Sequence, residues 1–596
     1  MPPLAVLAPE QRRYNLTLLV VAGLGGLLYG IDVGIIAGAL PYLQATSGLN
    51  ADQLSFIVAA VLLGSVISTL FAGLLADWMG RKKLMCLSGL LFVASIPIIA
   101  LANGYAPLVL GRILQGISAG LIGVVVPLYL AECLGASSRG KGTGIFQWLL
   151  TFGIVVAALI AIYFSIRVEA VSRLGDPAQL RAFKDAAWRS IFWFSLPPGV
   201  LFVLGSLIVT ESPRWLHSKG RADDARSALL RSRSEADVDT EMHEMARIAA
   251  AGASGPGARP RDSLFSRKYV IPFVLACVIL ACNQATGVNS IIGYNTNILL
   301  QAGLSDVQAH WGYVILTSVN FLMTMGGVFL VDRRGRKFLL TLGSAGIIVS
   351  LLAVGLIFRS TESRRVDCGK SLQAAVTADQ RLDTPFDSRT AAGLLAKEGP
   401  GGNAIAGGPV TMIVIYSYGD FRSATNVVRS DDPAAAPVSI TRDGCVPANK
   451  VTAFFSNPFA DLDKARVAPL RIENALVTPV PSPRNGWLTA AFTFCFMGFF
   501  AVGPGVCVWL ALSELMPTRI RSNGMSIALL VNQAVSTTIA ATFLPTVGKY
   551  GYATVFFAFA GSTVVYFITA AFFLPETKGK TLEEIEQHFE GAAAKR

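Results

Sequence analysis

Charge and histidine are both scarce in this 596-residue chain: 15% of its residues are Asp, Glu, Lys or Arg, and four are His. Its eight cysteines are scattered, with no Cys-x-x-Cys pair. That inventory holds no metal-ligand spacing, so neither a metal nor another cofactor is expected. No nucleophile–base set appears either, which makes an enzyme the least supported class. Met1 to Arg13 lacks a signal-peptide cleavage pattern, so the first apolar run is expected to stay in place as an anchor. What fills the chain instead is apolar: 53% hydrophobic residues and a mean hydropathy of +0.54. At this length, that composition indicates a polytopic helical membrane protein with the lipid bilayer as its first partner. The formal net charge of +12 could suggest nucleic acid, but the cations sit in short clusters beside apolar runs. The positive-inside rule accounts for such clusters, and no nucleic-acid partner is expected.

Windows of about 20 apolar residues mark membrane spans. Six fall at 16–40, 54–76, 84–102, 107–133, 142–164 and 190–209, and six more at 269–300, 310–331, 338–358, 487–513, 523–547 and 552–574. Basic clusters recur on alternate connections: Arg12 and Arg13, Arg81 to Lys83, Arg139 and Lys141, Arg333 to Lys337, Arg519 and Arg521, Lys578 and Lys580. The connections near Ala45, Asn103 and Gly303 carry no Lys or Arg. Both termini and the charged central segment 211–267 are therefore expected in the cytoplasm. Within that segment Arg221–Arg233 reads as helix and Ser254 to Pro260 as a Gly- and Pro-bearing linker.

One stretch stands out among the spans. Cys277 to Asn297 is apolar enough for a bilayer yet carries Asn283, Gln284, Thr286, Asn289, Ser290, Asn295 and Asn297. Amides in hydrocarbon are costly without partners, so such a row is expected to face the interior of a bundle or a wet cavity. On an unbroken helix Gln284 and Asn289 point roughly 140° apart. Gly287 between them can bend or unwind the backbone and bring both amides to one site. Uncharged groups that donate and accept in equal measure suit a neutral polyol. The competing use of these amides is interhelical hydrogen bonding that holds the bundle together.

The two sets of six repeat each other. Asp77-Trp-Met-Gly-Arg-Lys82 matches Asp332-Arg-Arg-Gly-Arg-Lys337 at an offset of 332 − 77 = 255, and Glu132 with Arg139 matches Glu514 with Arg521 at 514 − 132 = 382. The excess of 382 − 255 = 127 residues is the hydrophilic stretch from about Arg359 to Asn485. Two such halves in parallel duplication are the plan of the major facilitator superfamily. The expected fold is an all-α membrane protein of twelve transmembrane helices in two six-helix halves, 1–210 and 268–358 with 486–575. A cytoplasmic helical linker (211–267), an extracytoplasmic insert between helices 9 and 10 (359–485) and a cytoplasmic tail (576–596) complete it.

Several motifs then become specific: Gly111-Arg112, the Pro127…Glu132…Arg139-Gly140 run, Glu211-Ser-Pro-Arg-Trp-Leu216, Gln284…Gly287-Val-Asn289, Gly503-Pro-Gly505…Trp509…Ser513-Glu514 and Pro575-Glu-Thr-Lys-Gly579. In this order they make the chain resemble the sugar porter family, which includes bacterial xylose–proton symporters and facilitative glucose transporters. The resemblance covers nearly all of the chain outside the insert. It implies sugar hydrogen bonding by Gln147, Asn283, Gln284, Asn289, Tyr294, Asn320 and Asn532, with Trp509 as an aromatic wall. The chain departs from the family's pattern in four places. Asn283 stands for the first of paired glutamines, Gly293 for the first of two tyrosines, Gln533 for a Trp and Trp78 for an Arg.

Asp32 lies inside helix 1 and Arg112 near the start of helix 4. An intramembrane carboxylate is costly and an arginine is its natural partner. In the resembling symporters such a pair couples protons, so a proton is expected as the second substrate. A static ion pair is the alternative. The resemblance also implies a cytoplasmic gate of salt bridges drawn from Asp77, Arg81, Glu132, Arg139, Glu211, Arg214, Asp332, Arg334, Arg336, Glu514, Arg521 and Glu576. In the insert, Val410–Tyr416 and Val451–Phe455 read as strands. Cys368 and Cys445, the two cysteines well outside the spans, are expected to form a disulfide on the extracytoplasmic side. The leading reading is a monosaccharide carrier, a proton symporter working as a monomer in the plasma or bacterial inner membrane by alternating access. A uniporter that uses the same site, and a non-transporting sugar sensor, are the competitors.

Overall fold

The computed structural model describes residues 8–134, 136–253, 267–432, 437–450, 452–453, 457–516, 521–576 and 589. Among them, twelve helices are long and apolar enough to cross a membrane. In chain order spans 1 to 6 are Pro9–Thr46, Ala51–Met79, Arg81–Ala100, Tyr105–Cys133, Gly144–Ser172 and Pro177–Ile208. Spans 7 to 12 are Tyr269–Gly293, Asp306–Val331, Arg336–Glu362, Pro483–Val508, Gly524–Tyr550 and Tyr552–Phe573. Exposed apolar side chains such as Phe71, Leu74, Phe329, Val349 and Phe572 coat the outer surface of the bundle, as contact with lipid tails requires.

Small residues set the closest approaches. Gly26, Gly30, Gly34 and Gly38 recur every fourth residue along span 1 and face span 5. A Cβ on Gly30 would lie 1.9 Å from the Leu150 carbonyl oxygen, and one on Gly38 would lie 2.2 Å from Ala161 Cβ. Backbones that approach this closely gain dispersion contacts where no hydrophobic force separates helix from lipid. Span 2 crosses span 4 in the same way, with Gly116 set against the Val61 carbonyl. Spans 1 to 6 pack on one another, as do spans 7 to 12. The two sets meet chiefly where span 2 runs along span 11 and span 5 along span 8.

Span 6 starts thirteen residues before the apolar window read from the sequence, at Pro177 rather than 190. Its first part, Pro177–Trp193, is amphipathic, so an average over all faces conceals it. Asp176 caps it by accepting from Ala178 and Gln179, which stabilises its unpaired N–H groups.

Helices Pro213–Ser218, Ala222–Leu230 and Glu235–Ala253 follow span 6. The Ser254 to Pro260 linker lies outside the described residues. Between spans 9 and 10 the chain forms a sheet of its own. β1 (Val366–Asp367), β7 (Leu470–Pro479), β3 (Val410–Tyr418) and β4 (Phe421–Ala424) pair in that order, with β5 (Val428–Arg429) also on β3. β2 (Leu382–Thr384) pairs separately with β6 (Val438–Ile440). Every pairing is antiparallel. Leu372, Leu395, Val410, Val414, Tyr418, Ala475 and Val477 form a core distinct from that of the spans. The strand expected at Val451–Phe455 is not there in the part that is described, since Thr452 and Ala453 are helical.

The expected disulfide is also absent: Cys368 and Cys445 are both free thiols. Cys368 is buried at the start of a short helix, with its amide bonded to the Ala475 carbonyl of β7. Cys445 Sγ instead lies 3.3 Å from the Phe421 carbonyl of β4. The Cys368 backbone is tied to β7 and the Cys445 thiol to β4, so the two cysteines are anchored on different strands. Burial pushes the Cys368 thiol up to about 11 and that of Cys445 up to about 12.

Candidate substrate and coupling sites

Span 7 is not one helix. It is helical over Arg267–Ala285, again over Val288–Gly293, and then over Asn295–Gln301. Gly287 sits at the first break in the left-handed region, φ 81° and ψ 14°, where a Cβ is penalised. A Cβ there would also come within 2.3 Å of the Phe559 ring on span 12. The break turns Asn289 back onto Gln284. Asn289 Nδ2 donates to Gln284 Oε1 at 3.0 Å and to Ser536 Oγ at 2.7 Å. Gln284 Nε2 donates to Asn532 Oδ1 at 3.2 Å, and Asn532 Nδ2 to the Leu280 carbonyl at 3.0 Å. Three of the expected residues thus form one chain of amides between spans 7 and 11. Ser536 joins them without having been anticipated, although it lies one helical turn beyond Asn532.

The remaining candidates divide. Asn283 is buried beside the cluster and its Oδ1 meets no donor. Asn320 on span 8 is half-buried. Gln147 on span 5 is exposed, yet Ile154 and Ala158, two and three turns along the same face, are fully buried. It therefore continues the face of span 5 that packs into the bundle. Tyr294 is not brought to the amides. Its hydroxyl donates to the Ala540 carbonyl at 2.9 Å and its ring stacks on Phe543 at 4.5 Å, which closes span 7 against span 11 on the insert side. The side chain of Trp509 lies outside the described residues.

Asp32 and Arg112 face each other at full burial, with Arg112 Nη1 3.6 Å from Asp32 Oδ1. That distance is an ion pair but not a hydrogen bond. Arg112 Nη1 donates instead to Gln115 Oε1 at 2.6 Å, and neither oxygen of Asp32 receives a donor. Gln115 sits one turn after Arg112 and was not anticipated. Charge buried without hydrogen bonds is costly, and a carboxylate sheds that cost by taking a proton.

The two halves meet on the face that carries the insert. Tyr42 donates to Asp306 at 2.7 Å, Asn297 Nδ2 to Gln44 Oε1 at 2.7 Å, and Tyr313 to the Gly34 carbonyl at 2.8 Å. The Leu544 amide donates to Ser55 Oγ at 3.1 Å. On the opposite face, Arg81 and Arg214 find their partners within the first half and the segment that follows it. Arg81 forks onto Glu132 with two bonds of 2.9 Å and pairs with Asp77 at 2.9 Å. Arg214 lies 3.8 Å from Glu241. The side chains of Arg139, Asp332, Glu514 and Arg521 lie outside the described residues. The structure is closed on the insert face.

Glu211 and Glu576 each cap a span of their own half. Glu211 Oε1 accepts from the Arg81 and Lys82 amides at 2.9 and 3.0 Å, capping span 3. Glu576 accepts from the Arg336 and Lys337 amides at 3.1 and 3.2 Å, capping span 9. Arg336 also bonds the Val331 carbonyl as Arg81 bonds that of Ala76, while Arg334 is exposed. A third carboxylate, Glu362, caps span 12 at the Tyr552 amide by the same device.

The sequence profile described as Sugar (and other) transporter matches residues 18–378 and 475–589, leaving out most of the insert. The proton myo-inositol cotransporter of Homo sapiens is 27% identical over 598 residues, covering 96% of this chain and 81% of that protein. The galactose-proton symporter of Escherichia coli (strain K12) is 25% identical over 587 residues, covering 98% and 96%. The inward open conformation of the xylose transporter XylE from E. coli superposes with a TM-score of 0.64 at 19% identity, covering 96% of this chain and all of that one, so the two share a fold. With the profile on both halves and the twelve-span fold beneath it, this chain belongs to the sugar (and other) transporter family.

Proposed function

We propose that the chain carries a neutral monosaccharide into the cell together with a proton, by alternating access, with the insert face outside and both termini in the cytoplasm. The observation that carries this reading is the break at Gly287, which gathers Gln284, Asn289 and Asn532 into one uncharged hydrogen-bonding surface. Similarity to a galactose-proton symporter and to a proton myo-inositol cotransporter supports the substrate class and the coupling. In the proposed cycle Asp32 takes a proton from outside, which loosens Arg112. Sugar then replaces the mutual amide bonds of Gln284, Asn289 and Asn532, with Gln147, Asn283, Asn320 and Trp509 completing the site. The halves then rock and release both to the cytoplasm. Arg81, Glu132, Arg139, Glu514 and Arg521 close the cytoplasmic side in the opposite state; the buried Arg81–Glu132 fork stays within its half, while exposed pairs between the halves, worth under about 1 kcal/mol each, break in each cycle.

The test is sugar uptake by proteoliposomes under an imposed proton gradient, with a panel of pentoses, hexoses and inositol. Accumulation above equilibrium is expected for the wild type. Asp32→Asn is expected to abolish accumulation and sugar-driven proton uptake while retaining exchange of labelled for unlabelled sugar. Uptake that equilibrates but never accumulates in the wild type, with Asp32→Asn indistinguishable from it, would establish a uniporter instead.

A further inference from the structure

Asp32 on span 1 and Arg112 on span 4 share their burial with a third polar side chain, Gln115, one turn further along span 4. An arginine has no acceptor, so it is the amide oxygen of Gln115 that meets Arg112, at 2.6 Å. The amide nitrogen is left buried without a partner. A side chain that only filled space would be apolar here, since an orphaned amide nitrogen carries a desolvation cost that Leu or Met avoids. The residue type therefore points to a use for the oxygen.

That use follows from what the oxygen takes. Arg112 Nη1, the nitrogen bonded to Gln115, is also the one that faces Asp32, 3.6 Å from its Oδ1. A charge-assisted bond between them would need about 2.8 Å, so the guanidinium stops nearly an ångström short. Phe192 on span 6 supports the displaced cation, with its ring centroid 5.8 Å from Arg112 Cζ. Both oxygens of Asp32 are left without a donor. Asp32 and Arg112 are the charged groups that bear on each other, and the Tyr29 hydroxyl, one turn before Asp32, is the other titratable neighbour. Spans 5, 6 and 7, also packed on span 1, bring no charged group to Asp32 among the described residues.

We propose that Gln115 is a positioning residue for proton coupling, the acceptor that receives Arg112 when Asp32 is protonated and returns it when Asp32 ionises. This rests on the proton-coupled reading of Asp32. The proton stays on an Asp32 oxygen and Arg112 keeps its own hydrogens throughout, so the exchange costs one bond and makes one. Asp32, Arg112, Gln115 and Phe192 all lie in the first half, so rocking one half on the other does not by itself separate them.

The test is uptake of labelled D-glucose, D-galactose, D-xylose and myo-inositol, each in turn, by proteoliposomes of the full-length protein over a series of external pH values. Without the Gln115 oxygen Arg112 stays on Asp32, and more acid is needed to displace it. The midpoint of uptake against pH is therefore expected to move about 1–2 units towards acid in Gln115→Met, which is close in size to the wild-type side chain, and in Gln115→Leu. Each curve is scaled to its own plateau in acid, so a lower yield of folded protein does not move its midpoint. In Asp32→Asn, where exchange of labelled for unlabelled sugar persists, adding Gln115→Met is expected to leave the pH dependence of exchange as it was. Midpoints in Gln115→Met and Gln115→Leu that coincide with the wild type or move towards alkali, or a shift that Gln115→Met still produces in Asp32→Asn, overturn the proposal alone. A wild type that equilibrates sugar without accumulating it removes the proton-coupled reading, and this inference with it.

Discussion

At the scale of single residues, the amide cluster satisfies itself in the absence of sugar. Gln284, Asn289 and Asn532 bond to one another, so a ligand must exchange those bonds for its own and gains only the difference. A neutral hydrogen bond is worth about 1 kcal/mol net. Asn289→Ala is therefore expected to weaken sugar affinity by roughly 5- to 10-fold, not to abolish it, and an unchanged dissociation constant would remove Asn289 from the site. The insert thiols give a second prediction. Both Cys368 and Cys445 are raised by burial from an ordinary value of 9.0 to about 11 and about 12. Thiolate is the nucleophile, so native protein at pH 8 should leave both unmodified by iodoacetamide, and denatured but unreduced protein should have both alkylated. The sign of the linkage follows: between pH 9 and about 11 the unfolded thiols ionise while the folded ones keep their protons, so the stability of the insert falls as pH rises through that window. The pairing of these two cysteines was read from topology, which says which side they occupy but not which strand holds each.

At the scale of elements, the polar row on span 7 and the glycine within it were legible, because a hydrogen-bonding group in hydrocarbon declares a purpose that an apolar one does not. The conformation at Gly287 makes a third prediction. Gly287→Ala places a Cβ both at positive φ and against Phe559, a strain of about 1–3 kcal/mol that must be relieved by straightening the break. Sugar binding should be lost in a protein that still folds. Gly293→Ala is the control, since a Cβ there meets nothing closer than 3.5 Å, and it should bind normally. Other elements were not legible. Ser536 and Gln115 lie on ordinary helical faces, one turn from Asn532 and Arg112, and only the distances single them out. Glu362, at the end of span 9, caps span 12 across 190 residues of chain, a relation no local pattern contains. The start of span 6 and most strands of the insert were missed because amphipathic and short segments vanish into averages over a window.

At the scale of the whole molecule, the insert belongs by sequence to the second half but is bonded to the first. Ser423 on β4 donates to Asp52 at the start of span 2 at 2.6 Å, Asn426 reaches the Leu49 carbonyl, Asn50 reaches the Gly444 carbonyl, and Lys184 on span 6 pairs with Asp432. Opening the exterior moves the outer ends of the first half away from those of the second, so each of these contacts must break. The insert therefore favours the state with a closed exterior by whatever these contacts contribute, about 1 kcal/mol for a partly exposed charge-assisted bond. Removing two of them with Asp52→Ala and Lys184→Ala together corresponds to about 2 kcal/mol, or roughly a 30-fold shift towards the outward-open state. A cysteine introduced at Leu40, fully buried on the outer part of span 1, reports that shift through labelling by a membrane-impermeant maleimide added outside. Labelling in the double variant is expected to be at least tenfold faster than in the Leu40→Cys parent, and sugar-driven protection should diminish with it. Equal rates in the two backgrounds would mean that the insert rides on the second half without biasing the cycle.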